Sequence, residues 1–408
     1  MAQAEPNIMI STKDKPAPSF AEFVVIIALI TSLGALSIDA MLPALPQIGS
    51  DLNVTNANDR QLVVSLFFLG NAVGQLLFGP LSDATGRKPA IYWGYALFIV
   101  GSLLSLAALN FPMLLFGRLL QGLAMSGPRA VAMAQVRDRY EGRLMARVMS
   151  FVMTVTILVP MVAPTLGQTL LLLSGWRSIF GGFALISVIT VLWVALRMPE
   201  TLAPEDRAPF SLQRIVGAIR EIVGIRLTLG YTVAAGLISG AFLGYLNSAQ
   251  QIFQEQYALG ERFPLYFGTI ALSIGLASLL NARLVMRFGM RLLARRALLA
   301  VLGLSVGALG IALLTGGLPP LWFLMAFLMM AFFCIGILFG NMNALAMEPL
   351  GHIAGIGAAV LGALSMLISV PIGVIIGQSY NSTIVPLVAG LAILAGLSNV
   401  VARWAESG

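Results

Sequence analysis

Asp39 stands inside the first long apolar run of the chain, which begins near Phe23 and carries no other charge before it. If that run is a helix ending near Ala44, the carboxylate lies about 7 Å short of the helix end, at 1.5 Å per residue. An ionised Asp at mid-bilayer costs about 2.5–3.5 kcal/mol, and less near an interface, whereas the protonated acid costs much less. Such a residue is suited to taking up and releasing a proton. Arg118 lies inside another apolar run, about one and a half turns from its start, and that run crosses in the opposite direction. The two residues are therefore expected at one depth. The arginine either pairs with Asp39, setting when that acid can take a proton, or extends towards lipid headgroups. Arg129, after Ser126-Gly127-Pro128, is the third buried charge and reads as a cavity cation or a snorkelling side chain.

These charges are exceptional in this composition. The chain has 408 residues, 58% of them hydrophobic and 10% charged, against about 25% charged in soluble proteins. Its mean hydropathy of +0.92 makes it a polytopic membrane protein. The net charge of +7 reflects sidedness rather than nucleic-acid binding. A single cysteine, Cys334, and a single histidine, His352, leave no internal disulfide and no metal site of several Cys or His ligands.

Twelve apolar spans are expected at about 22–44, 61–82, 90–109, 113–136, 148–173, 178–197, 227–250, 264–286, 294–315, 320–343, 355–376 and 383–403. The sequence divides into an N-terminal cytoplasmic tail (1–21), a six-helix bundle (22–197), a central cytoplasmic loop (198–226) and a second six-helix bundle (227–408). With the N-terminus inside, 19 of the 24 Lys and Arg residues fall on the cytoplasmic side and three, Arg60, Arg177 and Arg262, on the outer side. That bias places both termini in the cytoplasm. The halves repeat weakly. Gly79-Pro-Leu-Ser-Asp83-Ala-Thr-Gly86-Arg87-Lys88 follows the second span, and Asn281 to Arg291 follows the eighth, with Met286 at the place of Asp83. Pro164 and Pro371 correspond in the fifth and eleventh spans. Two parallel halves imply a carrier that rocks around a midplane site.

Gly79 to Lys88 resembles the loop 2–3 signature of the major facilitator superfamily, and Leu115 to Gly122 its fourth-helix signature. Ala163-Pro164-Thr-Leu-Gly167-Gln168 resembles the fifth-helix motif of antiporters, from which Ala163 and Gln168 depart. Asp39-x-x-x-Pro43-x-x-Pro46, Arg129-Ala130 leading to Arg137-Asp138, Gly175 to Phe180, Phe253 to Tyr257 and Gly351 to Gly355 resemble the drug:proton antiporters, in particular the bicyclomycin and chloramphenicol resistance (Bcr/CflA) branch. The resemblance covers the chain from about Phe23 onwards.

It implies an all-α major facilitator fold of twelve helices in two pseudo-symmetric six-helix bundles. The implied activity is proton-coupled efflux of small amphiphilic drugs across a bacterial cytoplasmic (inner) membrane, by a monomer without a cofactor. Asp39 and Arg118 would couple the proton. Gly79, Asp83, Gly86, Arg87 and Lys88, with Arg137 and Asp138, would form the cytoplasmic gate. Pro160, Pro164, Gly167 and Pro371 would act as hinges. Gln121, Arg129, Tyr245, Asn247, Gln251, Asn341 and Asn343 are cavity candidates, although each polar group equally suits helix–helix adhesion. Its implied partners are a drug-like small molecule, protons and membrane lipid. A transporter of a sugar or amino acid is the alternative. A receptor fits the repeated halves poorly, and an enzyme lacks a nucleophile elbow, metal motif or nucleotide loop.

Overall fold

The computed structural model describes residues 18–407; most of the tail expected at 1–21 lies outside them. Twelve described helices are long enough to cross a bilayer. They are α1 (Phe20–Asp39), α2 (Leu62–Thr85), α3 (Arg87–Leu106), α4 (Phe111–Arg139), α5 (Gly142–Ser174), α6 (Arg177–Arg197), α7 (Arg226–Gln250), α8 (Phe263–Phe288), α9 (Met290–Leu314), α10 (Leu321–Met347), α11 (Ala354–Gln378) and α12 (Val385–Glu406). Successive helices run antiparallel, so the start of α1 and the end of α12 share one face, here called the terminal face. The opposite one is the far face.

Local chemistry sets the breaks. Asn110 accepts a hydrogen bond from the Met113 amide at 2.9 Å, and Pro112 occupies the first turn of α4. At the terminal face, Gly86 and Gly289 take positive φ, 104° and 77°, between α2 and α3 and between α8 and α9. These are matching positions of the two halves, and both need a residue without Cβ. Small residues then let helices meet. Gly236, Gly240 and Gly244 of α7, one turn apart, receive Ile368, Ile372 and Ile376 of α11.

Two features depart from the sequence reading. The first helix ends at Asp39 rather than near Ala44. A turn and a short 3-10 segment, Leu42–Ala44, lead into a second helical piece, Leu45–Asp51. The apolar rod thus continues about 18 Å beyond Asp39 at helical rise, and the acid is deeper than a single helix to Ala44 implies. The central connection also contains a helix, Leu212–Gly224, which buries Ile215, Ala218 and Ile222 against the bundle. Glu221 of that helix holds His352 at 2.7 Å.

A candidate transport cavity and its two ends

Asp39 closes α1 with the residue only 6% exposed, yet its side chain makes no hydrogen bond or ion pair among the described residues. The acid borders a cavity of about 530 Å³ walled by α5, α7, α8 and α10. The lining is mostly apolar: Met153, Ile157, Phe242, Phe267 and Phe339, with Pro160 on the α5 wall. Tyr245 stacks on Phe267, ring centroids 6.0 Å apart, and tilts against Phe332 at 4.6 Å. Its hydroxyl is buried without a hydrogen-bond partner and lies within electrostatic reach of Asp39. The cavity thus joins one unpartnered acid to an aromatic, methionine-containing wall that can adapt to varied apolar shapes.

Gly167 explains how α5 comes so close to Asp39. A Cβ there would fall 1.8 Å from the Ala40 carbonyl oxygen. Glycine is the residue that lets α5 press against the end of α1. Pro160 and Pro164 lie within one unbroken helix, α5, and Pro371 within α11.

Arg118 is fully buried but is not paired with Asp39. Its Nε donates to the Val63 carbonyl at 3.0 Å and its Nη1 to Gln121 Oε1 at 2.7 Å. The guanidinium covers the Phe67 ring at 4.7 Å, and Nη2 has no partner. Gln121 in turn donates to Ser102 Oγ at 2.7 Å. Both residues tie α4 to α2 and α3 rather than lining the cavity. Arg129 is exposed and makes no hydrogen bond or ion pair among the described residues.

The far face is sealed across the two halves. Ser65 and Asn247 exchange hydrogen bonds at 3.0 and 3.2 Å, and Asn247 also donates to the Gly373 carbonyl. Gln61 donates to Gln251, and Gln251 donates to Asn58 at 2.9 Å. Asn58 reaches the carbonyls of Gln378 and Tyr380. Arg60 pairs with Glu255 at 2.9 Å. Asn247 and Gln251, cavity candidates for which the sequence left helix–helix adhesion equally open, therefore belong to this seal. Asn341 is likewise engaged elsewhere, with Asn281 and the Ile337 carbonyl. Asn343 is exposed on α10.

At the terminal face the charges stay within one half or join the central connection. Arg87 binds Asp83 at 2.6 Å, Ser82 at 2.7 Å and Asp138 at 3.2 Å, fastening α2, α3 and α4 together. Glu200, which the sequence reading did not select, accepts the amides of Arg87 and Lys88 at 2.9 and 3.0 Å. It sits where the N-terminus of α3 presents free N–H groups and positive dipole. A Cβ on Gly86 would lie 2.8 Å from its Oε2, so the glycine serves the turn and the carboxylate together. Lys88 reaches the Ala195 carbonyl at 3.5 Å, and Arg137 is exposed. Gly79 approaches Ala359 across the halves. No ion pair links the two halves directly here among the described residues. The cavity runs from Asp39 down to Met149 and Ala282, near the terminal ends of α5 and α8.

Comparison with known proteins agrees with this architecture. Residues 27–377 match the family model described as Major Facilitator Superfamily. An uncharacterized MFS-type transporter of Bacillus subtilis, YdgK, is 31% identical over 92% of this chain and 93% of its own. A bicyclomycin resistance protein homolog of Haemophilus influenzae is 28% identical over 90% and 91%. The multidrug resistance protein MdtL of Salmonella heidelberg is 27% identical over 88% and 89%. Among solved structures, the human organic anion transporter MFSD10 superposes with a TM-score of 0.70 at 17% identity, over 95% of this chain and all of its own. The xylose transporter XylE of E. coli, in a partially occluded inward-open state, gives 0.70 at 13% identity, over 94% and 96%.

Proposed function

The chain belongs to the major facilitator superfamily, as a multi-pass membrane transporter of small molecules, and from that premise we propose that it is a proton-coupled exporter of amphiphilic drugs. The observation that carries the reading is Asp39. It is a carboxylate without a partner at the wall of an apolar cavity deep in the membrane, while the other described acids sit at helix ends, in loops or in the central connection. A buried acid in that position is inexpensive when protonated and costly when charged without water. Its protonation state therefore responds to whether the cavity is wet, dry or filled with substrate.

In this reading the terminal face is cytoplasmic, as the Lys and Arg bias suggests, and the membrane is the bacterial inner membrane. The far-face seal and the cavity reaching the terminal face correspond to an inward-facing carrier. Substrate loads against Phe242, Phe267 and Met153 while Asp39 gives up its proton inwards. The halves then rock, the far seal parts, and Asp39 takes a proton from outside as substrate leaves. Arg118, fixed by Val63 and Gln121, keeps a positive charge in the same half and modulates that exchange. Pro160, Pro164 and Pro371 lower the cost of helix bending. The protein works as a monomer, each chain holding a complete cavity.

The test is drug-induced proton movement in proteoliposomes, wild type against Asp39→Asn, with chloramphenicol in the panel. We expect Asp39→Asn to abolish gradient-driven flux, at least tenfold below wild type, while substrate binding and energy-independent counterflow persist. Gradient-driven flux that survives unchanged in the variant would place the coupling site elsewhere.

A further inference from the structure

Arg129 is a cation well inside a membrane-spanning helix that finds no hydrogen-bond or ion-pair partner among the described residues. On α4 the residues Arg118, Gly122, Met125 and Arg129 follow one another at spacings of four, three and four, so they share one face. That face points into the first half. Arg118 packs on Phe67 of α2, Gly122 meets the Phe67 backbone, and Met125 meets Gly34 of α1. The lipid-facing stripe of α4 lies elsewhere, through the exposed residues Pro112, Phe116 and Ala130. Arg129 is exposed on this face, between the buried Met125 and the buried Val136, so the first half leaves its side chain uncovered at that level. It lies ten residues before the end of α4 at Arg139, about 15 Å at helical rise. That is farther than an arginine side chain extends to reach headgroups.

Its depth relative to Asp39 follows from the Gly34–Met125 contact. Asp39 lies five residues beyond Gly34 towards the far face, and Arg129 four residues beyond Met125 towards the terminal face. The two charges are thus separated by about 13 Å along the bundle axis. That is the length of a drug-sized molecule. We propose that Arg129 docks an acidic group, a carboxylate, sulfonate or phosphate, on the molecules this protein carries. The preferred substrates are then amphiphiles with an anionic head and an apolar body. The assignment deepens the efflux reading and rests on it. A guanidinium with no acid beside it binds such an oxyanion bidentately, and the head group supplies the counter-charge that the protein withholds. Tyr245, Phe242 and Phe267 line the apolar cavity beside Asp39, to which α4 contributes no lining residue; the head group is then set on α4 and the apolar body against that wall.

The experiment is equilibrium binding of three labelled probes to purified protein in phosphatidylcholine nanodiscs. They are fusidate, an anionic amphiphile, chloramphenicol, which is neutral, and tetraphenylphosphonium, a cation. Wild type is expected to bind fusidate. Arg129→Gln should weaken that binding about tenfold or more, the scale of one charge-assisted hydrogen-bonded contact. It should leave chloramphenicol unchanged and leave tetraphenylphosphonium unchanged or tighter. Arg129→Lys should restore most fusidate binding. Equal losses for all three probes, unchanged fusidate binding in Arg129→Gln, or no fusidate binding by wild type would each overturn the proposal. Replacing half the lipid with phosphatidylglycerol separates substrate from headgroup. Loss of the Arg129-dependent fusidate binding there would make this a lipid site and overturn the substrate assignment, whereas persistence supports it. Charge-selective binding combined with absent proton-driven flux would uphold the anion site and overturn the coupling reading alone.

Discussion

At the far face Arg60 reaches across to Glu255 in the other half; at the terminal face Arg87 turns back to Asp83 and Asp138 in its own. The same residue chemistry thus does two jobs. Where polar groups pair between halves, as Gln61 with Gln251 and Ser65 with Asn247, they hold a face shut. Where they pair within a half, they brace three helices against one another, and the two halves meet at that face through the central connection, by Ala208 to the Asp83 carbonyl and Glu221 to His352. The contrast also separates energies. The far amides are buried, so a broken pair strands its partner away from water. Glu255 is 41% exposed, so its ion pair competes with solvent and salt.

The comparison breaks most severely at Gln251. Gln251→Leu leaves Gln61 and Asn58 without their far-face partner, a loss of about 2 kcal/mol and roughly a 30-fold shift towards far-face opening. Spin labels on the α1–α2 and α11–α12 connections should report a new long-distance population, and its absence would show that the amides do not hold the seal. Arg87→Ala sharpens the contrast from the other side. Three contacts within one half disappear, so thermal stability should fall by an amount worth about 1–2 kcal/mol. The same far-face label distances should stay unchanged. A large far-face opening in this variant would contradict the bracing role. Arg60→Ala has the smallest expected effect. A partly exposed ion pair contributes about 0.5–1 kcal/mol, a two- to fivefold change in opening, and adding salt to wild type should mimic part of it. A change as large as that of Gln251→Leu would mean that the ion pair, not the amides, dominates.

Several parts of the candidate site are legible along the chain, and their limits are instructive. Asp39 stands out because a carboxylate in an apolar run is costly wherever the helix ends, and it does border the cavity. Its depth was not legible, since the helical continuation Leu45–Asp51 depends on how the Pro43–Pro46 turn packs. Asn247 and Gln251 read equally well as cavity lining or as adhesion, because an amide in a span only signals that some partner exists. Tyr245 and Asn247, two residues apart on α7, end in different environments, one against the cavity aromatics and one against Ser65. Glu200 offered no signal at all. Its role is to meet two amides more than a hundred residues earlier in the chain.

The sequence by itself determined that the chain is a bundle of membrane helices of this superfamily. Backbone groups in lipid must be satisfied within each segment, so length and apolarity settle each helix locally. Tertiary structure alone decided which buried polar groups seal a face, which brace one half and which stay unpartnered. Those outcomes depend on distances between segments far apart in the chain. Arg118 and Arg129 show it within a single helix: equal in charge and on one face, one is consumed by Val63 and Gln121, and the other is exposed without a partner among the described residues.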